Sequence, residues 1–166
     1  RAKGFVVGTQ DEATFGLIPL IKRGWARRGS HPFVKINHKN VCTNVFGARS
    51  SKSFVFSFTK KKRQLQFIRF LEKLRRRWGK FLLFVDNAKA HNGAKVRAYL
   101  QTRGTVKLEY FPKCLPEENP TEQCWKPARE VLANRVLPSL NAAKYHLRKT
   151  FDNTKAMPKM FKYLRD

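Results

Sequence analysis

An α/β fold, with a mixed central sheet flanked by helices, is what the amino-acid sequence predicts. Apolar residues recur at period two in residues 53–58, where Phe54, Phe56 and Phe58 share one face. They recur at helical spacing in residues 63–78. The run Phe81-Leu82-Leu83-Phe84-Val85 is apolar on both faces, as a central strand covered by helices must be. Strand, helix, strand, helix and strand in succession make the α/β alternation.

The first strand is short, apolar and β-branched, Gly4-Phe5-Val6-Val7-Gly8-Thr9-Gln10, and its pattern stops at Asp11-Glu12, which places two acids at a strand tip. The Gly-, Pro- and Arg-rich stretch that follows, to Pro32, reads as an irregular insertion. Residues 40–46, closed by Gly47, form the next strand, and residues 48–52 suit a hairpin turn into the Phe-rich strand. The helix over 63–78 carries the stripe Phe67, Ile68, Leu71, Leu74 and Trp78, keeps Arg69, Lys73, Arg76 and Arg77 mostly outside it, and ends at Gly79. The central strand delivers Asp86-Asn87 at its carboxyl end. A helix over about 93–103 and a strand over 106–111 follow, the latter stopped by Pro112. Asn119 is a good N-cap and Pro120 suits a first helical position, so a helix starts there; Pro127 lies inside it and is expected to bend or break it. Ser139 caps a last helix with Leu140, Ala143, Tyr145 and Leu147 on its apolar face, ahead of a basic tail.

The chain has 166 residues, room for one domain, so 1–166 is expected to be a single unit. Lys and Arg number 36 against 11 Asp and Glu, a formal charge of +25 that calls for a polyanionic partner. With 42% hydrophobic residues and 14 Phe, the chain is no solvated basic tail. Its longest apolar run is the central strand itself, far short of the ~20 residues a bilayer requires, so a soluble protein without membrane contact is expected. Cys42, Cys114 and Cys124 are odd in number and lack close Cys/His pairing. That argues against a disulfide framework and against a zinc module, and fits a reducing cytoplasm; Cys42 and Cys124 read as small buried hydrophobes.

Three of the eleven acids fall where structure would display them. Asp11 and Asp86 end strands, and Glu122 lies in the first turn of a helix. Carboxyl ends of parallel strands are where open α/β sheets present ligand-binding groups. Oxygen donors select Mg²⁺ or Mn²⁺, and two such ions about 3.5–4 Å apart can activate a nucleophile and support a leaving oxygen in phosphodiester chemistry. Ordinary turn duty after a strand is the competing reading for both aspartates. For Glu122 it is a capping box with Asn119.

Asp86-Asn87-Ala88-Lys89-Ala90-His91, then Tyr110-Phe111-Pro112, then Leu115-Pro116-Glu117-Glu118-Asn119-Pro120-Thr121-Glu122-Gln123-Cys124-Trp125-Lys126 resembles the catalytic core of DDE transposases of the mariner superfamily, particularly its bacterial and archaeal insertion-sequence branch. Upstream, Asp11-Glu12-Ala13-Thr14-Phe15-Gly16 and Gly24-Trp25-Ala26-Arg27-Arg28-Gly29-Ser30-His31-Pro32 are similar to that family's first-aspartate segment and its Trp, Gly and Pro element. Thirty-five residues lie between Asp86 and Glu122 (122 − 86 − 1), close to the family's spacing. The likeness spans roughly residues 5–135, and three ordered motifs are far more specific than one.

The resemblance implies a ribonuclease H-like fold with Asp11, Asp86 and Glu122 as catalytic, metal-binding triad, Mg²⁺ or Mn²⁺ as cofactor with two ions per site, and DNA as partner. It implies hydrolysis at the ends of a mobile element followed by attack of the freed 3′-OH on target DNA, by two copies acting together as a homodimer on DNA. The cytoplasm of a prokaryote, at the chromosome, is the expected location. The N-terminal helix-turn-helix part that reads terminal repeats is expected to be absent from this chain. Asn87, His91 and Asn119 are accessory candidates: an amide beside Asp86 orients a ligand, and an imidazole there meets a phosphate. Lys22, Arg23, Arg27, Arg28, Lys60, Lys61, Lys62, Arg75, Arg76 and Arg77 are candidates for phosphate contact, each run also readable as a solvated face. Trp25 reads as a core or loop anchor ahead of a stacking wedge at a DNA end. Two other functions remain open on the residues alone: a nuclease of the same fold that makes hydrolysis products only, and a non-enzymatic basic DNA-binding protein descended from a transposase.

Overall fold

Residues 4–33, 35, 38–112, 119–153, 155 and 157–158 are described by the computed structural model. In chain order they form β1 (Val6–Gly16), β2 (Cys42–Ser50), β3 (Phe54–Thr59), α1 (Gln64–Trp78), β4 (Phe81–Val85), α2 (Ala94–Gln101), β5 (Val106–Tyr110), a 3₁₀ turn (Pro120–Cys124), α3 (Trp125–Leu132) and α4 (Leu140–Asp152). The strands make one sheet in the order β3-β2-β1-β4-β5. β1 runs antiparallel to β2 and parallel to β4, so the sheet is mixed, as expected.

Strand alternation divides the apolar residues between two cores. On one face Ala13, Phe15 and Val45 pack under Trp125, Ala128 and Leu132 of α3 and Ala143, Leu147 and Phe151 of α4. On the other, Phe46, Ala48, Phe81, Leu83 and Val85 meet Phe67, Phe70, Leu71 and Leu74 of α1 and Val96 of α2. Ring edges and faces interlock at Phe15, Phe54, Trp125 and Phe151. The amphipathic α1 buries Phe70 as well as most of the expected stripe. Among the described residues no helix is long and apolar enough to cross a membrane.

Several expectations are corrected. β1 does not stop at Asp11-Glu12. It continues to Gly16 because Ala13 and Phe15 keep the period of Thr9 and Asp11 and because β2 pairs with it from Gly8 to Gly16. β2 runs through Gly47 to Ser50, and the turn is the short Ser50–Ser53 link, closed by Ser53 N donating to Ser50 Oγ at 3.1 Å. The third-motif segment starts as a 3₁₀ turn, not an α-helix. Pro127 falls in the first turn of α3, where a backbone N–H has no partner within the helix to lose, so it breaks nothing. Cys42 and Tyr145 are exposed: Cys42 is the first residue of β2, at the edge of the packed layers, and Tyr145 lies on the side of α4 away from Ala143, Leu147 and Phe151. Trp25 is fully exposed at 105%: the insertion that carries it has no layer above it to bury an indole. Cys114, the Leu115–Glu118 part of the third motif and the end of the basic tail lie outside the described residues.

Candidate active site

β1 is paired with β2 from Gly8 to Gly16 but with β4 only from Val6 to Thr9, which leaves a notch in the sheet just where Asp11 stands. Thr9 is level with Phe84, so the register continued two residues sets Asp11 opposite Asp86, immediately past the end of β4. Asp11 shares a face with Ala13 and Phe15 and meets α3 there. Trp125 Nε1 donates to its Oδ2 at 2.6 Å. Burial pushes the Asp11 carboxyl up to about 6; hydrogen bonds from Trp125 and the Glu12 amide resist the rise, while the charges of Glu122 and Glu12 add to it.

Asp86 opens the loop after β4. Its Oδ1 accepts from Ala88 N at 3.0 Å, in an Asx turn, and faces His91 Nδ1 at 2.6 Å. The His91 hydrogen bond holds this carboxyl below its ordinary value against the effect of burial, helped by the Ala88 amide and by the charges of His91 and Lys62. Among the described residues Asp86 Oδ2 makes no hydrogen bond, and the side chain is 56% exposed.

Glu122 is brought to β1 by its neighbours. Asn119 Oδ1 caps the 3₁₀ turn by accepting from Thr121 N, while Asn119 Nδ2 donates to Gln10 O at 2.9 Å. Thr121 Oγ1 donates to Thr9 O at 2.9 Å and lies 2.7 Å from Thr9 Oγ1. Both carbonyls belong to the stretch where β4 leaves β1, so the turn docks on the notch and its charge acts on Asp11. Asn119 is thus a docking and capping residue. The Glu122 side chain makes no hydrogen bond among the described residues, so the reciprocal half of a capping box is not seen.

The three acids surround one notch without closing on a common point. Among the described residues no three His, Cys, Asp or Glu side chains converge closely enough to hold a metal ion. Trp125 holds Asp11 and His91 holds Asp86 by those hydrogen bonds. The donor chemistry still fits a hard divalent cation. All three side chains offer oxygen, Asp86 keeps an oxygen unbonded, and Asp11 carries a repulsion from Glu122 that a cation would relieve.

Sequence reasoning misses two participants. Trp125 stands in the third motif with no role assigned to it, and Glu12 only beside Asp11. Glu12 points to the opposite face of β1, where its Oε1 lies 2.6 Å from His91 Nε2. The available signal was period two itself, which sends adjacent residues to opposite faces. His91 is 1% exposed, so it does not meet a phosphate as expected. Burial opposes its charge, but the hydrogen bonds and charges of Asp86 and Glu12 prevail and raise it to about 10. It is an imidazolium at neutral pH, both nitrogens donating. Asn87 makes a turn contact, its Oδ1 accepting from Asn92 Nδ2 at 3.4 Å.

The basic runs separate in space. Lys61, Lys62 and Arg63, at the β3–α1 junction, line a groove with Lys89 and Lys95, beside the Asp86 loop. Lys22, Arg23, Arg27 and Arg28 lie in the insertion, which is pinned to the end of α3 by paired Asn134–Lys22 hydrogen bonds; Lys22 also bridges to Glu130 at 3.2 Å. Arg75, Arg76 and Arg77 end α1, hence lie at the start of β4 and away from the notch. Arg75 is tied to Glu72 at 3.0 Å.

The family model described as DDE superfamily endonuclease matches residues 7–144. No curated protein matches the chain in sequence. Similar solved structures include the Mos1 transposase paired-end complex with left transposon end, at 18% identity and TM-score 0.71, covering 92% of this chain and 49% of that one. The Mos1 mariner paired end complex with Mn has 18% identity and TM-score 0.70, covering 89% and 48%. The catalytic domain of Mos1 mariner transposase has 15% identity and TM-score 0.64, covering 92% and 72%. This chain spans about half the length of the Mos1 chains in those complexes. What it shares with them is the fold, the ribonuclease H-like arrangement of a mixed five-stranded sheet with flanking helices.

Proposed function

This chain belongs to the DDE superfamily endonucleases, and from that premise we propose that residues 1–166 form the single catalytic domain of a DNA transposase of the mariner superfamily, in its bacterial and archaeal insertion-sequence branch. Its reaction is hydrolysis at element ends followed by attack of the freed 3′-OH on target DNA, carried out by paired copies on two DNA ends at a prokaryotic chromosome. The observation that carries this reading is the register: Asp11 stands opposite Asp86 at the notch where β4 ends, with Glu122 docked on the same stretch of β1.

Asp11, Asp86 and Glu122 would hold Mg²⁺ or Mn²⁺, two ions per site; the solved Mos1 paired-end complexes include one with Mn and one with Mg. Such ions, when bound, lower the barrier to phosphodiester displacement by stabilising the attacking and leaving oxygens. The remaining work falls to the protein. Trp125 orients Asp11, and Asn119 and Thr121 fix the turn that bears Glu122. The Lys61, Lys62, Lys89 and Lys95 groove beside Asp86 holds backbone phosphates, which gives affinity with little sequence information.

Mn²⁺ calorimetry on the chain and on its Asp86→Ala and Glu122→Ala forms tests the site, with saturable binding in the parent lost or much weakened in both variants. Products from a duplex carrying element ends test the reaction. Joined strands support a transposase, and hydrolysis products alone support a nuclease. Equal behaviour of all three proteins toward Mn²⁺ returns Asp86 to turn duty and Glu122 to the cap of its own turn, and makes the domain a DNA binder.

A further inference from the structure

The geometry points to Glu12 and His91 as a brace that positions the Asp86 carboxylate for cation binding, a role that rests on reading Asp11, Asp86 and Glu122 as the metal-holding acids. His91 is 1% exposed and its ring lies against Phe67, centroids 4.4 Å apart. Nδ1 faces Asp86 Oδ1 at 2.6 Å, and Nε2 faces Glu12 Oε1 at 2.6 Å. A ring held at both nitrogens and on one face has a single orientation. With both nitrogens taken, His91 is no ligand itself.

Each end of the brace is fixed in turn. Glu12 sits on the continuous strand β1, only 11% exposed in its side chain, and accepts from Gln10 Nε2 at 3.1 Å. At the other end, Ala88 N donates to the same Asp86 oxygen, His91 N donates to Ala88 O at 2.9 Å, and Tyr110 Oη donates to His91 O at 3.3 Å. Strand alternation makes the arrangement economical: Asp11 faces the notch, and Glu12, next in the chain, anchors the opposite acid from behind the sheet.

A half-exposed aspartate at the start of a loop otherwise occupies several rotamers. Holding Oδ1 against His91 selects one and leaves Oδ2 without a protein partner among the described residues. Ordering the carboxylate beforehand removes that entropy loss from cation binding. Groups behind metal ligands act in this way, and their loss typically weakens metal affinity about ten- to a hundredfold.

Mn²⁺ calorimetry on the 166-residue chain, run well below each variant's melting midpoint, tests the brace. His91→Gln and Glu12→Leu each weaken Mn²⁺ binding about ten- to a hundredfold. Glu12→Gln keeps an acceptor for His91 and recovers most of the loss. Charge repulsion alone gives the opposite sign for His91→Gln, because removing a cation beside Asp86 favours the incoming one. Unchanged or tighter binding in folded His91→Gln therefore overturns the brace. Where that variant does not fold, Glu12→Leu/His91→Leu removes the buried carboxylate together with its partner and carries the same expectation and the same refutation. Asp86→Asn separates the two readings: if it abolishes binding while the brace variants match the parent, the brace falls and the acids stand. If Asp86→Asn itself binds like the parent, the metal-holding reading fails and takes the brace with it.

Discussion

Gly47→Ala tests how the aromatic core sets the site. Gly47 pairs with Asp11 across β1–β2, and its missing side chain is the space that the Trp125 indole occupies. A Cβ there would lie 2.5 Å from Trp125 Cη2 and 2.8 Å from Phe54 Cζ. To restore 3.4 Å the indole must retreat by about 0.9 Å (3.4 − 2.5). It has nowhere to go: Trp125 is 1% exposed and ringed by Phe15, Phe54 and Phe151 at centroid distances of 6.2, 5.9 and 5.8 Å. Overpacking of this kind costs about 1–3 kcal/mol, while replacing a strand glycine by alanine otherwise gains about 0.5–1 kcal/mol. At the middle of both ranges the clash wins, for a net loss of about 1.25 kcal/mol (2 − 0.75) and a fall in melting midpoint of about 2–5 °C at this chain length. Because the same indole donates to Asp11, Mn²⁺ affinity falls in the variant as well. Thermal melts followed by circular dichroism, with Gly104→Ala as the control where a Cβ meets nothing within 4 Å, give the comparison. A Gly47→Ala melting midpoint equal to or above the parent's refutes the packing argument.

Asp11→Asn separates stability from function. The folded carboxyl is raised from 3.8 to about 6, so the folded state binds the proton more tightly; this group's contribution is most favourable below 3.8, declines as pH rises to about 6, and stays unfavourable above it. At pH 7 the amide removes a penalty of about 1–3 kcal/mol, the upper end being 2.2 pKa units (6 − 3.8) at 1.36 kcal/mol each. The metal-free variant is expected to resist urea better than the parent above pH 6, match it near pH 3.5, and no longer bind Mn²⁺; equal urea midpoints at pH 7 contradict the assignment. For the basic groove, Lys61→Ala/Lys62→Ala lowers the slope of log K against log salt for a short duplex by about 2, roughly one per lost phosphate contact. Arg76→Ala/Arg77→Ala, at the far end of α1, leaves it unchanged, and equal effects of the two pairs in filter-binding or anisotropy titrations contradict the placement of DNA at the notch.

Features that depend on near neighbours were legible before any coordinates. α1, β4, α2 and β5 announce themselves through periods of 3.6 and 2 and through Gly or Pro at their ends, and their observed bounds fall within a few residues of expectation. The cap of the third motif was also readable, since Asn119 acts on Thr121 two residues away. The continuation of β1 past Asp11 is not legible locally because it depends on β2, whose residues paired there lie 26 to 34 positions away (Gly16 to Cys42, Glu12 to Phe46). Pro127 looked disruptive because its effect turns on where a helix begins, a boundary set by how the 3₁₀ turn docks on Thr9 and Gln10.

The amino-acid sequence by itself determined the α/β class, the excess of positive charge and the three acids with the spacing of their motifs. Tertiary structure alone decided how those acids are held: Trp125 on Asp11 across 114 positions, Glu12 on His91 across 79, Thr121 on Thr9 across 112. Periodicity reports only which face of its own element a residue occupies. Which face then meets which is settled by packing the whole chain, and there a hydrogen bond between distant residues leaves no local signature.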